Sequence, residues 1–127
     1  MITEDFVSKE MAKLLAKKGF DVPVRLFYDS QGIPCVASGE AFNWNELSYG
    51  LCPSYSRPTV QMTLKWLREV KHIDIIVSIY CNHHDGSLEY MAEVYRWGGK
   101  IVTPLFTGHH DKVVEDAMMY VLEQLDF

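Results

Sequence analysis

Two triplets of the same composition, His83-His84-Asp85 and His109-His110-Asp111, hold the residue types most able to do chemistry. Imidazole nitrogens and carboxylate oxygens together are ligands suited to zinc or another divalent metal. On this reading His83, His84, His109 and His110 are the candidate ligands, with Asp85 and Asp111 beside them, and a bound metal would support a hydrolytic reaction. No H-E-x-x-H or H-x-E…C-x-x-C signature accompanies them. The competing reading is two polar loops, the second leading into a helix start. Other chemistry has less footing. The cysteines and serines lie in no nucleophile elbow, and Gly98-Gly99 reads as a hairpin turn instead of a phosphate loop. No catalytic or cofactor-binding residue is nominated.

If the triplets are to meet, the chain between them must return to one place. Ile73 to Cys81 alternates with period two: Ile73, Ile75, Val77, Ile79 and Cys81 fall on one side, Asp74, Ile76, Ser78 and Tyr80 on the other. Leu88 to Trp97 alternates again, and the glycine pair behind it favours a strand and tight hairpin over a helix. Lys100 to Phe106 is then a third strand, marked by Pro104 as an edge or bulge. An up-down-up meander puts the His83 loop and the His109 exit at the same end of the sheet. The two flank a central strand, so they start roughly 10 Å apart at ~4.8 Å per strand and would have to curl together.

Ahead of the first of these strands, Ser56 to Val70 reads as an amphipathic helix. Ser56 is placed as its N-cap and Pro58 in its first turn. Val60, Met62, Leu64, Trp66, Leu67 and Val70 sweep a wide apolar arc, which predicts a buried Trp66. The wording S-x-P-T-x-x-x-x-x-K-W-L-R-E-V-x-x-I-D-I over this helix and strand resembles a group of small uncharacterised proteins encoded in phages and mobile elements of gut bacteria. The resemblance covers residues 56 to 77, is weaker through the C-terminal helix, and takes little from the first fifty residues. It implies a genomic setting and an α+β domain. That group has no assigned activity, so no catalytic residue is carried over.

Composition narrows the classes. At 127 residues a single domain with a real core is expected. Met1 leads straight into a helix start, so no signal peptide is expected, and no apolar run approaches the ~20 residues of a bilayer span. Three cysteines, Cys35, Cys52 and Cys81, fit a reducing cytoplasm and argue against a disulfide framework. Twelve Lys and Arg against seventeen Asp and Glu give a net charge of −5, poor footing for a phosphate-binding surface. The basic residues are not segregated, although Lys9, Lys13, Lys17 and Lys18 share one helix and suit its C-terminal dipole.

That first helix is expected to be capped by Thr3, with Ile2 and Val7 as a hydrophobic staple and Val7, Met11, Leu14 and Leu15 as its stripe, ending at Gly19. Val22 to Tyr28 reads as a strand, Asp29-Ser30-Gln31-Gly32 as a turn, and Ile33 to Ala37 as a short edge strand. Residues 38–55 show no period; their aromatic residues either lie over a core or line a groove for a ligand or peptide. Asp111 is expected to cap a last helix with Val114, Ala117, Met118, Val121, Leu122 and Leu125 inward and an acidic outer face.

These elements predict an α+β fold: an antiparallel sheet with a three-strand meander, an N-terminal hairpin that can add to it, and three helices. The C-terminal half runs α-β-β-β-α. That order resembles double-stranded RNA-binding domains, which hold phosphates with a lysine-rich start to the last helix. Here one lysine, Lys112, stands there, so no nucleic-acid partner and no membrane is expected. Ile76, Tyr80, Met91, Tyr95 and Trp97 share the outer sheet face, which needs cover from the N-terminal part of the chain or from another subunit. The function expected is that of a cytoplasmic, non-catalytic accessory or protein-interaction protein, with an unknown protein partner or self-association through the sheet face. Divalent-metal binding at the histidine loops and a double-stranded RNA-binding-like module are the alternatives.

Overall fold

The computed structural model describes residues 5–81 and 83–127, and over them the chain is α+β with three helices and two antiparallel sheets. Ile2, Thr3 and Glu4, expected at the first helix start, and Asn82 lie outside the described residues. The chain falls into two compact units, Met1–Thr63 and Leu64–Phe127.

In the first unit, α1 (Lys9–Lys17) begins at Ser8, whose hydroxyl accepts the Met11 N–H at 3.2 Å. The start expected near Thr3 is corrected. Residues 5–7 are extended because their backbone pairs elsewhere: Val7 N–H donates to the Pro58 carbonyl and Val60 N–H donates to the Asp5 carbonyl. The C-terminal end is as expected. Gly19 takes φ 87, and the N–H groups of Gly19 and Phe20 reach back to the Ala16 and Leu15 carbonyls. Val7, Met11, Ala12, Leu15 and Phe20 are buried.

β1 (Leu26–Tyr28), β2 (Pro34–Val36) and β3 (Tyr55–Ser56) form a sheet of their own in the order β2-β1-β3. The Asp29 turn joins β1 to β2, its carboxylate accepting the N–H groups of Gln31 and Ile33 at 2.9 Å. β1 is shorter than the expected Val22 to Tyr28, because Val24 pairs across to Phe42 instead.

The segment without a period is organised by one buried amide. Asn45, in a short 3₁₀ turn at Trp44–Leu47, donates its Nδ2 to the Phe20 carbonyl at 2.8 Å and accepts the Ser56 N–H at 2.9 Å. The Ser56 hydroxyl accepts the Trp44 N–H at 3.1 Å. The aromatics divide. Trp44 stacks on Phe27 at 4.0 Å and donates its indole N–H to the Val24 carbonyl, whereas Tyr49 and Leu51 are exposed.

Ser56 is therefore a strand residue opposite Phe27, and its expected role as N-cap is corrected: its hydroxyl is taken by the Trp44 N–H and its own N–H by Asn45. α2 (Val60–Val70) starts instead at Thr59, whose hydroxyl accepts the Met62 N–H at 3.0 Å. The division between units falls inside α2. Its buried arc is narrower than the expected one, since Thr63, Trp66 and Leu67 are buried while Met62 and Val70 are exposed.

In the second unit, His72 reverses the chain with φ 58, a left-handed conformation few non-glycine residues adopt. β4 (Ile73–Cys81) and β5 (Leu88–Arg96) then pair over nine residues, from Ile73 opposite Arg96 to Cys81 opposite Leu88. Gly98 and Gly99, both at positive φ, turn the chain back. The third strand expected at Lys100 to Phe106 is two pieces, β6 (Gly99–Lys100) and β7 (Phe106–Gly108), both against β5. Pro104, which has no N–H to donate, lies in the gap.

α3 (His110–Gln124) lies against β5, β7 and β4. It opens from His109 and not from the expected Asp111, which sits in the first turn where a carboxylate suits the helix dipole. Val113, Val114, Ala117, Met118, Val121 and Leu122 are buried on it, and Ile73, Ala92, Val94 and Phe106 are buried in the sheet.

Trp66 is 3% exposed and its ring meets Phe127 edge-on at 6.4 Å. Trp66→Ala is expected to cost ~3–5 kcal/mol, the range for large-to-small core changes. A urea titration checks this: the midpoint falls sharply if Trp66 is a core residue.

Candidate functional site

Strand register decides where the histidines go. Tyr90 of β5 stands opposite Ile79 of β4 on one side and Gly108 of β7 on the other. The turn that carries His83 and His84, and His109 directly after β7, therefore share one end of the sheet, as the parity of the strands requires. Sharing an end does not make them converge. Among the described residues no three or more His, Cys, Asp or Glu side chains come together as metal ligands.

The geometry accounts for the separation. α3 lies on one face of the sheet and takes His110 with it, so that the imidazole meets the Tyr90 ring edge-on at 5.2 Å. His110 Nδ1 lies 3.4 Å from the Asp111 carboxylate, an exposed pair that carries ionic character only when the imidazole is protonated. His83 and His84 are exposed in the turn beyond β4. Asp85 is held within its own loop: one carboxylate oxygen accepts both the Ser87 hydroxyl, at 2.6 Å, and the Ser87 N–H, at 2.9 Å. Those bonds favour the ionised form and hold Asp85 below the ordinary carboxylate range, the hydroxyl contributing most.

A second polar group, which the periodicity did not single out, lies on the outer face of the sheet. Glu93 accepts the Tyr95 hydroxyl at 2.7 Å and pairs with Lys100 Nζ at 3.2 Å. The Tyr95 hydroxyl first, then the ammonium, holds Glu93 below its ordinary range, and the carboxylate raises Tyr95 in return. Tyr80 donates likewise to Glu89 opposite, and is raised. The signal available in the sequence was parity: residues two apart on a strand share a face, and the Gly98-Gly99 hairpin returns Lys100 beside Tyr95. Glu93 and Tyr95 are half-buried and Tyr80 is exposed, and ion pairs at such surface positions add little to stability.

No family model matches the chain, and neither a curated protein nor a solved structure matches it.

Ser87→Ala is expected to raise the Asp85 pKa toward the ordinary carboxylate value. Because the folded-state value is depressed, whatever stability Asp85 contributes is present above the ordinary range and lost as the pH falls through the depressed value. A side-chain carboxyl NMR titration of both proteins checks the direction.

Proposed function

We propose that this chain is a non-catalytic accessory protein that works by binding another polypeptide, in the phage or mobile-element setting that its Ser56 to Val77 stretch resembles. One observation carries the reading. Large apolar side chains stand exposed through the second unit: Ile76, Ile79, Tyr80 and Leu88 on β4 and β5, then Trp97, Val102 and Leu105 beyond them. Trp97 is 81% exposed. Single exposed apolar residues are ordinary, but seven within one small sheet and its turns, on both faces, support a role in binding protein.

The location that suits this protein is the cytoplasm. Cys35, Cys52 and Cys81 form no disulfide and Cys52 and Cys81 are exposed, an arrangement at home in a reducing compartment. Among the described residues no helix is long and apolar enough to cross a membrane.

Electrostatics speak against nucleic acid as the partner. The net charge is −5, and Lys112 at the start of α3 is engaged by Asp116 at 3.1 Å. Electrophoretic mobility-shift titrations with duplex RNA and duplex DNA are expected to give no salt-sensitive binding at physiological ionic strength. Micromolar binding that weakens with salt would make the α-β-β-β-α half an RNA-binding module.

A second reading, divalent-metal binding by His83, His84, His109 and His110, is favoured by the shared sheet end. Elemental analysis of protein purified without a tag separates the two. Stoichiometric zinc, lost in His109→Ala and His110→Ala, would replace the interaction reading with a metal-dependent one.

The interaction reading itself is tested by photo-crosslinking in the expressing cell. A benzophenone amino acid at Trp97 is expected to give a discrete adduct with a polypeptide, and one at Glu123 on the acidic face of α3 is not. Equal labelling at the two positions would overturn it.

A further inference from the structure

Every strand edge in a folded protein offers a row of unpaired N–H and C=O groups to any strand that can reach it, and proteins blunt such edges with proline, charge, bulges or brevity. In this chain the edges are treated unequally. In the first unit's sheet, edge strand β2 has three residues and begins with Pro34, and edge strand β3 has two. In the second unit, the β5 side is closed by β6 and β7, two short pieces with Pro104 between them. β4 is different. It runs nine residues, pairs only with β5 among the described residues, and keeps an unbroken register without a bulge. It contains no proline, no lysine or arginine, and one charge, Asp74. Its far half is open, with Ile76 47% and Ile79 59% exposed and Ser78, Tyr80 and Cys81 exposed beside them.

We propose that β4 pairs with β4 of a second copy of this chain, antiparallel and about a two-fold axis at Val77, joining two sheets into one. This rests on the reading of the chain as an interaction protein and names the partner. Among the two-fold registers open to this strand, the one centred on Val77 pairs all nine residues, whereas a centre at Ile76 or Ser78 leaves two unpaired. It also sorts the side chains. On the helix-bearing face Ile75 meets Ile79 of the other copy twice, Val77 meets Val77, and Ile73 meets Cys81 twice, an apolar row throughout. On the outer face Ile76 meets Ser78 and Asp74 meets Tyr80.

Charge is compatible with this register. The only charged residue in the strand falls at opposite ends of the ladder, so the two Asp74 carboxylates stand six residues, roughly 20 Å, apart. That is about two Debye lengths at physiological salt, beyond the reach of their repulsion. The closest acidic approach across the junction is Asp74 to Glu89 of the other copy, with Tyr80 between them at two strand spacings, ~10 Å. A basic or mixed peptide has no such match here, because the edge presents almost no charge to read.

Two measurements decide it. Sedimentation velocity on the purified chain is expected to show a monomer–dimer equilibrium, and Ile79→Lys, at an exposed position, is expected to weaken it about tenfold or more. Its circular dichroism spectrum and unfolding midpoint should stay unchanged. The register is read separately, in a Cys35→Ser, Cys52→Ser, Cys81→Ser background. There Val77→Cys is expected to form a disulfide-linked dimer on mild oxidation, since directly opposed Cα atoms lie ~4.5–5.5 Å apart, within disulfide reach. Asp74→Cys in the same background is expected to give none. A monomer at every concentration overturns the proposal; if Trp97 still crosslinks to a different polypeptide, the interaction reading survives it. A dimer in which Val77→Cys fails to crosslink, or Asp74→Cys succeeds, places the contact elsewhere and overturns it equally.

Discussion

The second unit depends on one constraint, the nine-residue register between β4 and β5. Because side chains alternate, a slip of a single residue would carry Ile73, Ala92 and Val94 off the α3 face and put Asp74, Glu93 and Tyr95 in their place. Burial enforces the register at the Ile73 end, where the core face is sealed by α3. Toward Cys81 the same face becomes progressively open, so there the ladder is held by backbone bonds and by the Tyr80–Glu89 pair across the outer face. Everything assigned to the histidine end and to the strand edge follows from that fade in burial along one strand.

The first unit is held differently, by satisfying buried polar groups. Asn45 offers both a donor and an acceptor, and it uses them on the Phe20 carbonyl and the Ser56 N–H. An aliphatic side chain of similar size would leave the buried Ser56 N–H without this acceptor, at ~1–3 kcal/mol. Tyr28 repeats the device: its hydroxyl donates to the Val7 carbonyl at 2.6 Å and accepts from Arg57 Nε, while the Arg57 guanidinium lies 4.5 Å from the Phe6 ring centroid. These contacts tie Asn45 to residues 25 and 11 positions away and Tyr28 to residues 21 and 29 away, so a segment with no periodicity of its own still has a defined path.

The histidine triplets show how residue type and residue placement separate. Their types would suit a metal, and the meander brings them to one end of the sheet. The surroundings of each side chain are set by its element, and the elements differ: the histidines of the turn after β4 are exposed, whereas α3 brings His110 onto Tyr90. Exposed apolar side chains of the same sheet lie on both faces of β4, and they, with its unblunted edge, support the proposed interaction role.

The sequence alone determined the elements whose signals are local or strictly periodic. Alternation from Ile73 to Cys81 and from Leu88 onward set both strands and their faces; the glycine pair set the hairpin; Gly19 ended α1; Trp66 was legible as core. Parity then fixed which end of the sheet receives both histidine pairs, before any side-chain position was known. Tertiary structure decided what depends on a distant partner. Ser56 looks like a helix cap and is a strand residue opposite Phe27, because Trp44 and Asn45 engage its hydroxyl and its N–H. α1 starts at Ser8 and not earlier, because residues 5–7 pair with the chain around Pro58 and Val60. The Asn45 amide is invisible as an organiser until Phe20 and Ser56 arrive beside it. Whether the four histidines assemble was also beyond the sequence: strand parity gives an end, whereas a ligand set needs side-chain directions, and those come from where α3 packs.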